Sequence, residues 1–310
     1  MHLNGLKINN LNKKIIIMKR IFGFTLLILG ITLYSCQTEK LDTDSGDVLF
    51  EKSAQITLTE IALESVATEI EYEVDFYANA EQTLTNLLRL GKLWKWTDNL
   101  RYKFEQCPDI DIESEEGGYP KTITLNYGDS TVLSTGRVLS GIITVEISGP
   151  KFSVDYNRQI IYRDFGVDSL LINGTSLVTV DKGEDVFRTI TSDFAFLLAN
   201  GISIDRTSER VWEWVAGMDT EEDQNDDVIQ ITGFANAETS EGDVYRKDIL
   251  EPLIRLRDCH FIVQGIVEIT IITELISTLD YGNGACNNIA ILTKDGETYE
   301  VDLGKRKVRK

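Results

Sequence analysis

The stretch QIIYRDFGVDSLLINGTSLVTV, Gln159–Val180, decides how the chain folds. Its runs Gln159–Phe165, Ser169–Asn173 and Ser176–Val180 are short and rich in Ile, Val, Thr and aromatic residues, with Asn173-Gly174 between the last two. β-Branched and aromatic side chains fit a pleated surface, and Asn-Gly supplies the positive φ that a tight hairpin turn demands. The stretch therefore reads as antiparallel strands joined locally, not as helix.

The same texture extends outward in both directions. Upstream lie Thr122–Tyr127 and Gly141–Ser148, and downstream Phe187–Asp193, Ser208–Val215, Val228–Gly233, His260–Ile272, Ile276–Tyr281, Asn288–Thr293 and Thr298–Leu303. Turn chemistry separates several of them, as at Tyr127-Gly128-Asp129, Asp219–Asp227 and Asp295-Gly296. No strand–helix–strand alternation occurs, which argues against a dinucleotide-binding fold. Residues 106–304 are expected to form one β domain: an antiparallel meander, open or curled into a half-open barrel, because a dozen strands need closure or cover at their edges.

Ahead of it, residues 51–105 are of another kind. Ile61, Val66, Ile70, Val74 and Tyr77 recur at helical spacing, and Leu84, Leu87 and Leu88 resume it after Asn79-Ala80, which predicts one or two amphipathic N-terminal helices. Residues 36–50 are polar and acidic without periodicity, as befits a tether.

Residues 1–35 read as a signal peptide whose true start is Met18. Met18-Lys19-Arg20 is basic, Ile21–Tyr34 carries no charge, and the run is shorter than the roughly 20 apolar residues of a membrane span. Leu33-Tyr34-Ser35-Cys36 resembles a bacterial lipobox, which makes Cys36 the lipidation site and the membrane the first partner. Each buried methylene of such an anchor contributes about 0.8 kcal/mol, so several acyl chains hold where one does not. The expected localisation is the cell envelope, on either the periplasmic or the surface face.

Charge excludes other partners. Lys and Arg total 31 against 50 Asp and Glu, a net −19, and removal of the leader with Lys7, Lys13, Lys14, Lys19 and Arg20 leaves −24. A body of that sign does not bind nucleic acid, since phosphate neutralisation needs cations. Only the tail Lys305–Lys310 is basic; it reads either as a solvated end or as a contact for lipid phosphates. The only histidines are His2 and His260, which removes most His-based metal and acid–base chemistry.

No catalytic motif emerges and nothing calls for a cofactor or a metal. Ser148-Gly149-Pro150-Lys151 has the Ser-x-x-Lys spacing of a Ser nucleophile with a Lys base, but that chemistry needs one helical turn and Pro150 makes a bend. Asp219–Asp227 alternates oxygens like a calcium loop yet has Gln224 at the sixth place and Gln230 at the twelfth, so a solvated hairpin tip is the simpler reading. Cys259 and Cys286 are expected to form a disulfide in an exported chain, stabilising it by about 3–4 kcal/mol in the loop-closure model. The rival, a Cys259–His260 dyad, requires strand neighbours to share a face, which a regular strand forbids. Trp212 and Trp214 fall on one strand face and could stack on a sugar, the carbohydrate alternative, or fill the core. Asp129-Ser130-Thr131 and Asp168-Ser169-Leu170 look like short O-glycosylation signals of exported proteins.

An internal echo joins the two ends of the β domain: Thr124-Leu125-Asn126-Tyr127-Gly128-Asp129 and Thr278-Leu279-Asp280-Tyr281-Gly282-Asn283. Together with Tyr119-Pro120-Lys121-Thr122-Ile123-Thr124-Leu125, Gly136-Arg137, Ser140-Gly141-Ile142-Ile143, Glu209–Gly217 (ERVWEWVAG) and Leu279–Asn288 (LDYGNGACNN), it resembles a family of outer-membrane lipoproteins from Bacteroidota. The resemblance spans Cys107–Leu303. It implies a β-rich fold at the envelope and lends no activity; relatives carry a cysteine near the place of Val132, so here it implies that Cys107 lacks a partner. The sequence thus points to a lipid-anchored, exported binding or structural module that touches a glycan or an envelope protein. The alternatives are a carbohydrate-active or carbohydrate-binding surface protein using acidic residues with Trp212 and Trp214, and a lipid-handling protein with an apolar concavity.

Overall fold

The computed structural model of the protein describes residues 45–92, 108–114, 118–133, 136–151, 153–154, 156–182, 186–217, 226–259, 261–271 and 275–303. Two helices come first, α1 (Ser45–Asn79) and α2 (Glu81–Arg89). Thirteen strands follow: β1 (Asp109–Ser114), β2 (Lys121–Val132), β3 (Val138–Ile147), β4 (Asn157–Val167), β5 (Leu170–Lys182), β6 (Val186–Leu197), β7 (Ser203–Ala216), β8 (Val228–Thr239), β9 (Val244–Leu256), β10 (Ile262–Ile271), β11 (Leu275–Asn283), β12 (Ile289–Lys294) and β13 (Glu297–Asp302). They form one sheet in strict chain order, every neighbour antiparallel, with β1 and β13 as unjoined edges. The mainly β, open meander read from the sequence is the fold.

Two details of the opening stretch differ. Asn173-Gly174 is not a turn: β5 runs through it, and the hairpin bend is Asp168-Ser169, with Asp168 at φ 55°. Gly174 has φ 136°, and a Cβ there would lie 2.1 Å from the carbonyl oxygen of Asp193 on β6. Gly233 on β8 repeats the device against Glu209 of β7, 2.0 Å away. Glycine inside a strand permits close backbone approach and a sharp bend, which lets this long sheet curl.

The sheet curls around α1. Along β7 the inward set is Ile204, Arg206, Ser208, Arg210 and Trp212, all buried, while Asp205, Thr207 and Glu209 face out. Thr191 and Asp193 face out from β6 in the same way, giving these strands a water-facing outer surface rather than the apolar band of a membrane-spanning barrel. α1 begins at Ser45, inside the stretch expected to be tether, and is buried on most of its circumference: Leu63, Ala67, Ile70, Val74 and Tyr77, but also Glu60, Glu64, Glu71 and Asp75. It is therefore not amphipathic in the ordinary sense. Its open side is one narrow stripe, with Gln55, Leu58 and Ser65 exposed and Ala62 half-buried among them. Among the described residues no helix is long and apolar enough to cross a membrane.

The two echoing segments adopt the same local structure, one at an irregularity within β2 and the other at the end of β11. Asn126 Oδ1 accepts from Gly128 N at 2.9 Å, Asp280 Oδ1 accepts from Gly282 N at 2.8 Å, and Tyr127 and Tyr281 point into the core. The side-chain oxygen two residues back stabilises the bend, and the glycine takes the positive φ.

Candidate functional site

The interior is organised by a ladder of charge between α1 and the sheet. Glu60, Glu64, Glu71 and Asp75 are spaced by four, seven and four residues, which keeps them on one side of a helix of 3.6 residues per turn. Glu60 accepts from Arg206 and Tyr245, and Glu64 from Arg206, Arg210 and Lys247. Asp75 is held between Arg158 and Arg188. Farther along, Glu81 at the start of α2 meets Lys121 and Tyr119, Glu73 accepts from Tyr127 at 2.7 Å, and Glu69 is gripped by Arg137.

Burial alone would raise the pKa of Asp75, but Arg188 and Arg158 outweigh it and hold the carboxyl at about 2. Glu64 is likewise held below the usual carboxylate range, burial being overcome by Lys247, Arg210 and Arg206. Glu71 goes the other way. Burial raises it, and its closest cation, Arg210 Nη2, stands 4.0 Å off. Buried pairs of this kind add little net stability, because the cost of desolvating both charges offsets their attraction.

On the remaining side of α1 lies a cavity of about 760 Å³. It follows the helix from Ala54 to Thr68, about 21 Å at 1.5 Å per residue. Leu58, Ile61 and Ala62 form its floor, and Ile231, Leu253, Phe261 and Leu292 are among the apolar side chains of its walls. Leu58 remains 42% exposed within it, the large apolar side chain on the open stripe of the helix. Volumes of roughly 300–1,000 Å³ with mainly apolar linings and a few polar groups are typical of small-molecule sites.

Three cations line this cavity, and they are not equivalent. Arg137 is committed to Glu69 and to Asp168, the latter at 2.6 Å. Lys294 hydrogen-bonds Ser53. Arg255, near the end of β9, forms no ion pair with a described carboxylate, and its Nε is buried without an acceptor. Its guanidinium lies 4.2 Å from the ring centre of Tyr72, where Arg257 also stacks at 4.9 Å. Burial pushes the Arg255 pKa down, and the like charge of Arg257 adds to the effect.

The residues singled out from the sequence fall into four groups. Cys259 and Cys286 are joined by a disulfide, which ties the β9–β10 connection to the β11–β12 connection. It thereby anchors the turn that separates Arg255 from the cavity-lining Phe261. Trp212 and Trp214 do not make an open platform. Trp212 has no exposed surface, with Tyr72 at 5.6 Å and Arg188 at 5.9 Å, and Trp214 is half-buried beneath the same Arg188 at 5.0 Å. Stacking on a sugar needs a free ring face, and Trp212 belongs to the core. Ser148 ends β3 and its Oγ accepts from Asn157 N, so Ser148–Lys151 is a bend between strands and not a helical turn. Cys36, the leader with Met18, Cys107, His260, Asp219–Asn225 and Lys305–Lys310 lie outside the described residues.

An apolar concavity was among the alternatives read from the sequence, whereas the charge ladder was not. One signal existed: Arg206 and Arg210 sit on the same strand parity as Ile204 and Trp212, so either those bases are buried or the strand is not half-apolar. Among the described residues no group of three or more His, Cys, Asp or Glu is placed to hold a metal ion. Comparison of the chain with protein-family models, with curated proteins and with solved structures finds no match.

Proposed function

We propose that the protein is an exported, lipid-anchored binding module whose ligand is an elongated apolar molecule lying along α1. The observation that carries this reading is the cavity itself. Between Ser53 and Ala78 the sheet buries most of the circumference of α1 yet leaves the stripe around Leu58 and Ala62 facing a partly open, mainly apolar space. Leaving large apolar side chains uncovered beside a completed core forgoes about 25 cal/mol for each Å². A ligand that fills the space recovers it. The lipidated Cys36 and the envelope location supplement this reading from the sequence, and both suit a protein that takes up molecules from a membrane or its surroundings.

The test uses the full chain carrying Cys36→Ser, so that no detergent competes. Titration with the neutral fluorophore N-phenyl-1-naphthylamine should show saturable binding. Ala62→Trp, which fills the floor of the cavity, should weaken it at least tenfold while leaving the thermal midpoint nearly unchanged. Binding that is absent, or that survives Ala62→Trp undiminished, refutes the proposal.

A further inference from the structure

We infer that the ligand is a single-chain amphiphile with an anionic head, seated with its head on Arg255 and its chain along α1 toward Ala54. This rests on the cavity being the ligand site and adds the class of molecule that fits it.

The placement follows from where the cations stand along the helix. Lys294 bonds Ser53, at the start of the stretch of α1 that the cavity follows. Arg255 stacks on Tyr72, one turn beyond Thr68 where the lining helix ends. The cavity is thus an apolar channel with a cation near each end, and only one of those cations is uncommitted. None of the four carboxylates on the walls pairs with Arg255: Glu64 is held by Arg206, Arg210 and Lys247, Asp168 by Arg137, Asp302 accepts from Asn288, and the exposed Glu300 forms no ion pair with Arg255. Glu69, three residues before Tyr72, has both oxygens on Arg137.

Arg255 is half-buried, with its Nε shielded from water and without an acceptor, which is costly, and the like charge of the neighbouring Arg257 adds to the cost. A carboxylate or phosphate arriving from the cavity would bind it through paired, charge-assisted hydrogen bonds. The rigid backing by Tyr72 keeps the fork in place, and the Cys259–Cys286 bond fixes the turn immediately after it. The size of the space favours one chain: about 760 Å³ falls within the range of sites that enclose a single small ligand.

The experiment compares dodecanoate with dodecanol as displacers of N-phenyl-1-naphthylamine at pH 8, on the full chain with Cys36→Ser and on the same chain with Arg255→Met added. Dodecanoate should bind the first about tenfold more tightly than dodecanol, as a charge-assisted hydrogen bond implies. Arg255→Met should erase that preference while leaving dodecanol within twofold, and its dodecanol binding shows that the variant is folded. Equal affinity of the two displacers for the first protein, or a preference that survives Arg255→Met, overturns the head-group assignment and leaves the cavity standing. Failure of both displacers overturns the ligand site itself. Should Arg255→Met not fold, the comparison on the first protein decides alone.

Discussion

Arg206 of β7 and Glu60 of α1 meet in a forked pair, Nη2 to Oε1 at 2.7 Å and Nε to the two oxygens at 3.2 and 3.1 Å, and neither side chain has any exposed surface. Removing one partner of such a pair leaves the other charge buried and uncompensated, at a cost of about 3–5 kcal/mol. Glu60→Gln should therefore lower the unfolding free energy obtained from urea titration by that much. Glu60→Leu combined with Arg206→Met should recover a large part of the loss. A single substitution that is nearly neutral would mean that water reaches the pair.

Acid should loosen the helix from the sheet. Asp75 has a folded-state pKa of about 2 against an ordinary value of 3.8, so its contribution is complete above pH 4 and is lost as pH falls toward 2. The gap corresponds to about 2 kcal/mol. Glu64 acts in the same direction. Glu71, whose pKa is raised by burial, opposes them, its stabilisation being greatest at low pH. Urea midpoints measured from pH 6 to pH 2 should fall, and Asp75→Asn should flatten the slope between pH 4 and pH 2.

Trp212→Ala should cost about 3–5 kcal/mol, as large-to-small changes at fully packed aromatics do. Trp214→Ala, at a half-buried site, should cost less. Equal and negligible losses from both, with loss of binding to a glycan array, would restore the stacking platform.

Reduction of the Cys259–Cys286 bond should lower stability by about 3 kcal/mol, given a loop closed across 27 residues. Cys259 should be alkylated only after reductant is added, as mass spectrometry of the peptides will show. Labelling without reductant would place the pair in the thiol state.

The anchor is tested in cells. Wild-type protein should incorporate an alkynyl fatty acid at Cys36 and sediment with membranes, whereas Cys36→Ser should take up no label and leave the membrane fraction. Retention of Cys36→Ser in that fraction would remove the anchor from the proposal.

Most of the sheet was legible because its strands alternate with period two and end in recognisable turns. Two strands escaped. β1 is a six-residue edge, and β9 carries Lys247 and Arg255 among its apolar residues, with register shifts against β10 that break the alternation. Gly174 was misread because Asn-Gly signals a turn locally, whereas here the approach of a neighbouring backbone, set by the curled sheet, needs the glycine. α1 was found as a helix but its acids could not be placed. Nothing near Glu60 or Asp75 in sequence says that Arg206 or Arg188 will face them from 146 or 113 residues away. The cavity is the joint product of that arrangement, since it is the side of α1 that the sheet leaves uncovered.

The central position of α1 also constrains how the chain can reach its folded state. The helix emerges first from synthesis or export, yet Thr57 meets Ser277 across 220 residues and Ser53 meets Lys294 across 241. Contacts at such separation form slowly, because loop closure must precede any gain from them. Until β4 to β9 are in place the acids of α1 lack the cations they pair with, and the inward cations of those strands lack their counterions. Two charged, complementary halves thus remain soluble apart, and the late pairing of acid with base is what commits the chain to its final topology.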